Sequence, residues 1–226
     1  MDESSDAKPK RAYRSAVREE SARRTRQAVV AAAADLFVSG GYGATSLADV
    51  AARAGVARPT VFAAFGSKPA LLRQVLDEAL AGDDEPVPVA QRPWFRPVWE
   101  ADTQAGVLDG YAGVCTLIGG RAARIFETVR RAADDNEEVA QVWETLLRNR
   151  RRGAAMVVER VRGLGPLRYG SDVERAIDVV WHFNDPAHYD ALVTQCGWSE
   201  NDFRDWLSEQ LTGGLLGAPR RGRGAT

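Results

Sequence analysis

TSLADVAARAGVARPTVFAAF, residues 45–65, is the stretch that decides the fold. Leu47, Val50, Ala51 and Ala54 recur at the spacing of one buried helical face. Thr45 and Ser46 before that face are good N-cap types, and Asp49 stands three residues after Ser46, as in a capping box. Gly55 predicts the helix end, because glycine takes a positive φ without a Cβ clash. Pro59 suits a first helical turn, so a second short helix should open near Arg58 with Val61 and Phe65 inward. The pair reads as a helix-turn-helix: Ala51 permits close approach, Gly55 supplies the turn, and Val61 fills the wedge. Arg58, Thr60 and Phe62 are left outward, where a recognition helix meets base edges and phosphates. The same spacing also fits a helical hairpin of an ordinary α-bundle.

Working outward, Val29, Ala33, Leu36 and Phe37 predict a helix from about Glu20 to Ser39, ended by Gly40-Gly41. Arg23, Arg24 and Arg26 would crowd its first turns, where positive charge opposes the helix dipole and a nearby phosphate would relieve it. Ser67 can cap a fourth helix from Lys68 to about Leu80, with Leu72, Val75, Leu76 and Ala79 inward. Residues 1–20 read as a flexible basic arm. The formal net charge of −1 hides a split. Residues 1–81 hold 12 Lys+Arg against 9 Asp+Glu, and the remainder 18 against 22. A basic N-terminal region on an acidic body suggests that one end meets phosphates.

Phe37, Gly40-Gly41-Tyr42, Thr45-Ser46, Ala54-Gly55-Val56, Thr60, Phe65 and Ser67-Lys68 with Leu71-Leu72 together resemble the TetR family of transcriptional regulators, over about residues 22–80. The resemblance implies that Thr45 and Ser46 bond phosphate and that Arg58, Pro59 and Thr60 face bases. Lys68 would grip the backbone from a helix N-terminus. Where the family usually carries Tyr, then His or Tyr, this chain has Phe62 and Ala64. Two phosphate contacts are thereby missing, and the arginine-rich arm is expected to take up part of that load.

Residues 82–99 hold four prolines and cannot form one regular helix; their Trp94, Phe95 and Trp99 are apolar enough to dock on the C-terminal part of the chain. From there the chain reads as helices only. Tyr111, Val114, Cys115 and Ile118 share a face, a break is expected at Gly119-Gly120, and Ala122, Ile125, Phe126 and Val129 resume the period. The acidic run at 134–138 should start a long helix with Val139, Trp143, Leu146, Arg150, Ala154, Val157 and Val161 on one stripe. The RNRRR run at 148–152 reads as a solvated face or a seat for acids. Ser171 to Glu174 predicts a capping box, Asp185-Pro186 another helix start, and Ser199 the last, with Phe203, Trp206, Leu207, Leu211 and Leu215 inward. The tail 218–226 should be loose.

Ala176, Val179-Val180-Trp181, Asp185-Pro186, Tyr189, Leu192, Gly197-Trp198-Ser199 and Trp206-Leu207 resemble the C-terminal region of many TetR-type regulators. That resemblance implies an effector-binding, dimerising domain whose last two long helices pair across a two-fold axis. Val180, Phe203, Trp206, Leu207 and Leu211 are the interface candidates. Tyr111, Cys115, Phe126, Trp143, Leu146 and Trp181 could line a cavity for an apolar or aromatic molecule, or could be plain core.

The expected protein is therefore all-α: an arm (1–20), a helix-turn-helix DNA-binding domain with its connecting fourth helix (21–81), and a helical ligand-binding and dimerisation domain (82–217). As a homodimeric repressor it would bind a double-stranded pseudo-palindromic operator with half-sites ~34 Å apart and be released by a small effector. The alternative is a small-molecule-binding or enzymatic helical protein with a vestigial helix-turn-helix. No Walker loop, G-x-S-x-G, H-E-x-x-H or calcium-loop spacing is present, so neither catalysis nor a cofactor or metal is expected. His182 and His188 flank a proline break and share no helical face. Two isolated cysteines, no signal-peptide pattern and no apolar run of membrane-spanning length point to the cytoplasm.

Overall fold

The computed structural model describes residues 8–168, 170 and 172–217, and the side chains from residue 17 onward. It is helical, and no strand occurs among the described residues. The chain divides into two compact units, 1–75 and 76–226, with the boundary inside the fourth helix.

In the first unit, α1 (Lys8–Gly40) packs on α2 (Leu47–Ala54), α2 on α3 (Arg58–Phe65), and α4 (Lys68–Ala81) comes next. Val29, Ala33 and Phe37 of α1, Val50 and Ala51 of α2, Val61 of α3 and Leu71 and Leu72 of α4 are buried. The helix start expected at Glu20 is corrected to Lys8. Between Lys10 and Ser39 the chain has neither Gly nor Pro and is rich in Ala and Arg, so nothing stops the helix from growing N-terminally. Residues 8–20 are thus helical, and Arg23, Arg24 and Arg26 lie mid-helix, away from the dipole's positive end. The first seven residues and the tail 218–226 lie outside the described residues.

The second unit is built on two long helices, α6 (Gln104–Ala133) and α7 (Glu137–Leu164), which pack together. Short α5 (Arg96–Glu100), α9 (Pro186–Tyr189) and the last helix α10 (Glu200–Leu216) lean on α6, while α8 (Val173–Phe183) bridges α7 and α10. A π-helical turn, Asp190–Gln195, comes after α9. The starts obey their caps: Asn136, Asp185 and Ser199 each accept a backbone N–H of the first turn. For α8 the cap is Asp172, one residue after the expected Ser171, which lies outside the described residues.

The break expected at Gly119-Gly120 does not occur, since α6 runs through it. A Cβ on Gly119 would lie 2.6 Å from the Tyr189 ring. The glycine is there to let α9 press against α6, and a helix tolerates it at roughly 1 kcal/mol.

The proline-rich segment forms two 3-10 turns, Val89–Gln91 and Pro93–Phe95, wrapped around Arg92. That residue is only 4% exposed. Its guanidinium donates to Asp83 (2.6 Å), to Glu85 O (2.8 Å) and to Val87 O (3.0 Å). The hydrogen bond from Arg92 holds the Asp83 carboxyl below the usual carboxylate range. Phe95 is buried and stacks on Trp99 at 5.0 Å, and Trp94 and Trp99 pack against the core of this unit.

Candidate nucleic-acid interface and buried polar cluster

The helix-turn-helix is assembled from local rules. Ser46 caps α2 in a reciprocal capping box with Asp49, whose carboxyl is held low by that hydrogen bond. Gly55 adopts φ 69°, ψ 30°, and returns its N–H to the end of α2. Pro59 occupies the first turn of α3, and Val61 is fully buried beneath it.

Three residues expected at phosphates make hydrogen bonds within the chain. Lys68 turns inward, donating to Tyr42 O (2.9 Å) and Thr45 O (3.0 Å), with its ammonium 4.1 Å above the Tyr42 ring. Burial pulls its pKa below the ordinary lysine value. The Thr45 hydroxyl is buried and donates to Gly41 O at 2.9 Å. The Ser46 hydroxyl, besides capping α2, donates to Asp49 at 2.7 Å. Together they lock the loop ahead of α2. Arg26 also works internally: it donates to Ala64 O at 2.8 Å and lies 4.7 Å over the Phe65 ring. The carbonyl of the residue that lacks a polar side chain is thus used to tie α3 to α1. Arg24 stays exposed near Glu20, and Arg23 is exposed.

What α3 leaves outward is Arg58, Pro59, Thr60 and Phe62. Phe62 is 63% exposed, an unusual cost for an aromatic side chain on a short helix. Arg53 of α2, which sequence reasoning passed over, is exposed beside Asp35 at 3.3 Å.

In the second unit, Tyr111, Phe126, Trp143 and Trp181 of the cavity candidates gather around one charged side chain. Phe126 and Trp143 meet edge to face at 4.9 Å, and Phe126, Leu146 and Tyr111 are buried. The organiser is Arg150 on α7. Its guanidinium sits 5.4 Å from the Phe126 ring and 5.6 Å from the Trp181 ring. It donates to Trp181 O (3.0 Å) and Asn184 Oδ1 (2.8 Å), and its Nη1 stands 2.9 Å from Asp185. A cation at the last carbonyls of α8 is favoured by the helix dipole. Asn184 passes the network on, donating to the Tyr111 hydroxyl at 3.0 Å. Burial draws the Arg150 pKa down, partly offset by Asp185. Burial likewise raises the Tyr111 hydroxyl and pushes the Cys115 thiol up to about 12.

Of the 148–152 run, Arg151 does seat acids, pairing with Glu174 and Asp178. Arg150 is no solvated residue. His182 and His188 are brought together by the turn between them, with ring centroids 5.1 Å apart. No group of three metal-ligating side chains occurs among the described residues, and no described helix is long and apolar enough to cross a membrane.

Of the interface candidates, Val180, Phe203, Leu207 and Leu211 are buried in the subunit's own core. The stripe of α10 closes against α6 and α8. Trp206 alone of the five is half-buried.

The thiol environment makes a prediction. At pH 8 a thiol with a pKa near 12 is ionised to roughly one part in 10⁴, so Cys115 should resist iodoacetamide while exposed Cys196 reacts. Intact mass after native labelling should show one adduct; two adducts formed at equal rates would contradict the burial.

Comparison with known proteins agrees with the helix-turn-helix. Residues 29–75 match the family model described as bacterial regulatory proteins, tetR family. The chain is 24% identical over 193 residues to the uncharacterized HTH-type transcriptional regulator YdeS of Bacillus subtilis (strain 168), covering 84% of this chain and 89% of that one. The fold is similar to that of the transcriptional regulator FadR from Bacillus subtilis in complex with stearoyl-CoA, with TM-score 0.65 and 18% identity, covering 83% and 98% of the two chains. It is also similar to NalD, the secondary repressor of the MexAB-OprM multidrug efflux pump in Pseudomonas aeruginosa, with TM-score 0.61 and 20% identity over 84% and 96%. Residues 29–75 thus form a helix-turn-helix domain of the tetR type, and the chain is similar to bacterial transcriptional regulators along most of its length.

Proposed function

We propose that this regulator acts as a homodimeric repressor that a small molecule releases from its operator. The observation that carries the reading is the outer face of α3. A short helix anchored by Val61 beneath it and by Arg26 at Ala64 O offers Arg58, Thr60 and Phe62 to solvent. Arg58 can bond a guanine edge, Thr60 a base or phosphate, and Phe62 can contact a thymine methyl or a sugar. Arg26 serves by holding that helix still, and Thr45, Ser46 and Lys68 by fixing the loop ahead of α2; backbone N–H groups at the start of α2 remain the natural phosphate contacts.

A repressor role and a ligand extend to this chain what FadR and NalD are named for. The ligand would lie at the Tyr111–Phe126–Trp143–Trp181 cluster, around Arg150. Dimerisation would use the side of α8 and α10 that carries Trp206, with half-exposed Trp198 beside it at 6.3 Å. A ligand that weakens DNA binding tenfold needs about 1.4 kcal/mol of differential affinity between two conformations. Helix α4, continuous in the chain across the two units, is the covalent lever.

Arg58→Ala should weaken binding to the DNA upstream of the protein's own coding region by ~1–3 kcal/mol and relax base preference. A gel-shift titration with unchanged affinity and sequence preference would remove Arg58 from the interface. Sedimentation showing only monomers at micromolar concentration would reject the dimer.

A further inference from the structure

The cluster around Arg150 contains donors that the fold itself does not satisfy. The Arg150 side chain is 10% exposed. Its Nε and the indole Nε1 of Trp181 are both buried and find no acceptor among the described residues. Both groups belong to one small region, since the guanidinium lies 5.6 Å from the Trp181 ring. Buried N–H groups without an acceptor are costly, and folded proteins rarely keep two side by side. The neighbouring oxygens are already engaged: Trp181 O and Asn184 Oδ1 accept from Nη2, and Tyr111 Oη accepts from Asn184. The matching acceptor has to come from outside the chain, from water or from a ligand. Next to a guanidinium that acceptor is best an anion.

Resting on the effector reading above, we propose that the ligand is a weak organic acid. Its carboxylate oxygens would accept from Arg150 Nε and Trp181 Nε1, and its apolar body would lie against Phe126 and Trp143. Asp185, 2.9 Å from Nη1, already balances part of the Arg150 charge. A singly charged carboxylate therefore suits the site better than a phosphate, which Asp185 would repel. Trp143 and Trp181 are half-buried, so the cluster reaches the surface at its aromatic edge.

The test uses the full chain and four matched pairs: benzoate, 2-naphthoate, octanoate and dodecanoate, each beside its primary amide. Binding is measured by calorimetry and DNA release by gel shift. At least one acid should bind about tenfold or more tighter than its amide, as expected for a charge-assisted bidentate contact. Trp181→Phe, which keeps the ring and deletes the donor, should weaken that acid by about fivefold or more while leaving the amide within about twofold. Arg150→Lys should also weaken the acid and serves as the second variant if either protein proves unstable. Acids and amides binding alike, no acid binding at all, or an acid indifferent to both substitutions each overturns the proposal. If the amides bind and release DNA as well as the acids, the effector reading stands and the anionic class falls. If an acid binds through these donors without releasing DNA, the anion site stands and the effector reading falls.

Discussion

Arg150→Met is expected to destabilise the second unit by about 3 kcal/mol, since removing one member of a largely buried ion pair strands the other. The substitution leaves Asp185 without its cation, and Trp181 O and Asn184 Oδ1 without their donor. The Met side chain refills most of the volume between Phe126 and Trp181, so the loss is electrostatic rather than a cavity. Asp185 is about a third exposed and can recover some hydration, which keeps the cost below that of a fully buried pair. All six tryptophans, from Trp94 to Trp206, lie in this unit, so urea unfolding monitored by tryptophan fluorescence reports on it selectively. A midpoint unchanged from the parent chain would show that Arg150 does not hold α7, α8 and α9 together.

Gly119→Ala should also destabilise, by about 1–3 kcal/mol, although alanine is the better helix former. The added methyl would meet Cβ, Cγ and Cδ2 of Tyr189 at 2.6–2.7 Å. Those atoms sit near the root of the side chain, so relief requires α9 to move off α6. Movement there disturbs the Tyr189 hydroxyl, which donates to Glu200 at 2.6 Å at the start of α10. Gly153→Ala in α7 is the control: nothing lies within 4 Å of its Cβ, so it should stabilise by about 0.5–1 kcal/mol. Opposite signs at two helical glycines would establish that close approach, not helix propensity, decides position 119. Equal signs would contradict it.

The α2–turn–α3 segment was legible because its instructions are local. Ser46, Asp49, Gly55 and Pro59 each act through the backbone within a few residues, and the structure uses each as its chemistry suggests. Lys68 and Arg26 bond carbonyls 23 to 38 residues away along the chain. Whether a polar group reaches outward or onto a carbonyl 20 or more residues away depends on tertiary packing, which spacing does not encode. Gly119 misleads for a related reason: a glycine that permits contact and one that ends a helix look alike in one dimension. Arg150 is the instructive case. It stands on the inward stripe between Leu146 and Ala154, so a buried cation is already implied by its register. The basic residues around it at 148–152 suggest the opposite, a solvated face. The α10 stripe of Phe203, Leu207 and Leu211 is apolar as its spacing indicates, but periodicity does not say whether an apolar face meets its own subunit or another.

On the function proposed above, the outer face of α3 reads DNA sequence. Selection of duplexes from a random library by the full chain, run beside Arg58→Ala, tests it most directly. The expected result is enrichment of a pseudo-palindrome with half-site centres about 10 base pairs apart, or a multiple of that spacing, and a blurred preference at the positions Arg58 faces. Recovery of no enriched sequence, or of the same sequence with undiminished preference by Arg58→Ala, would contradict it.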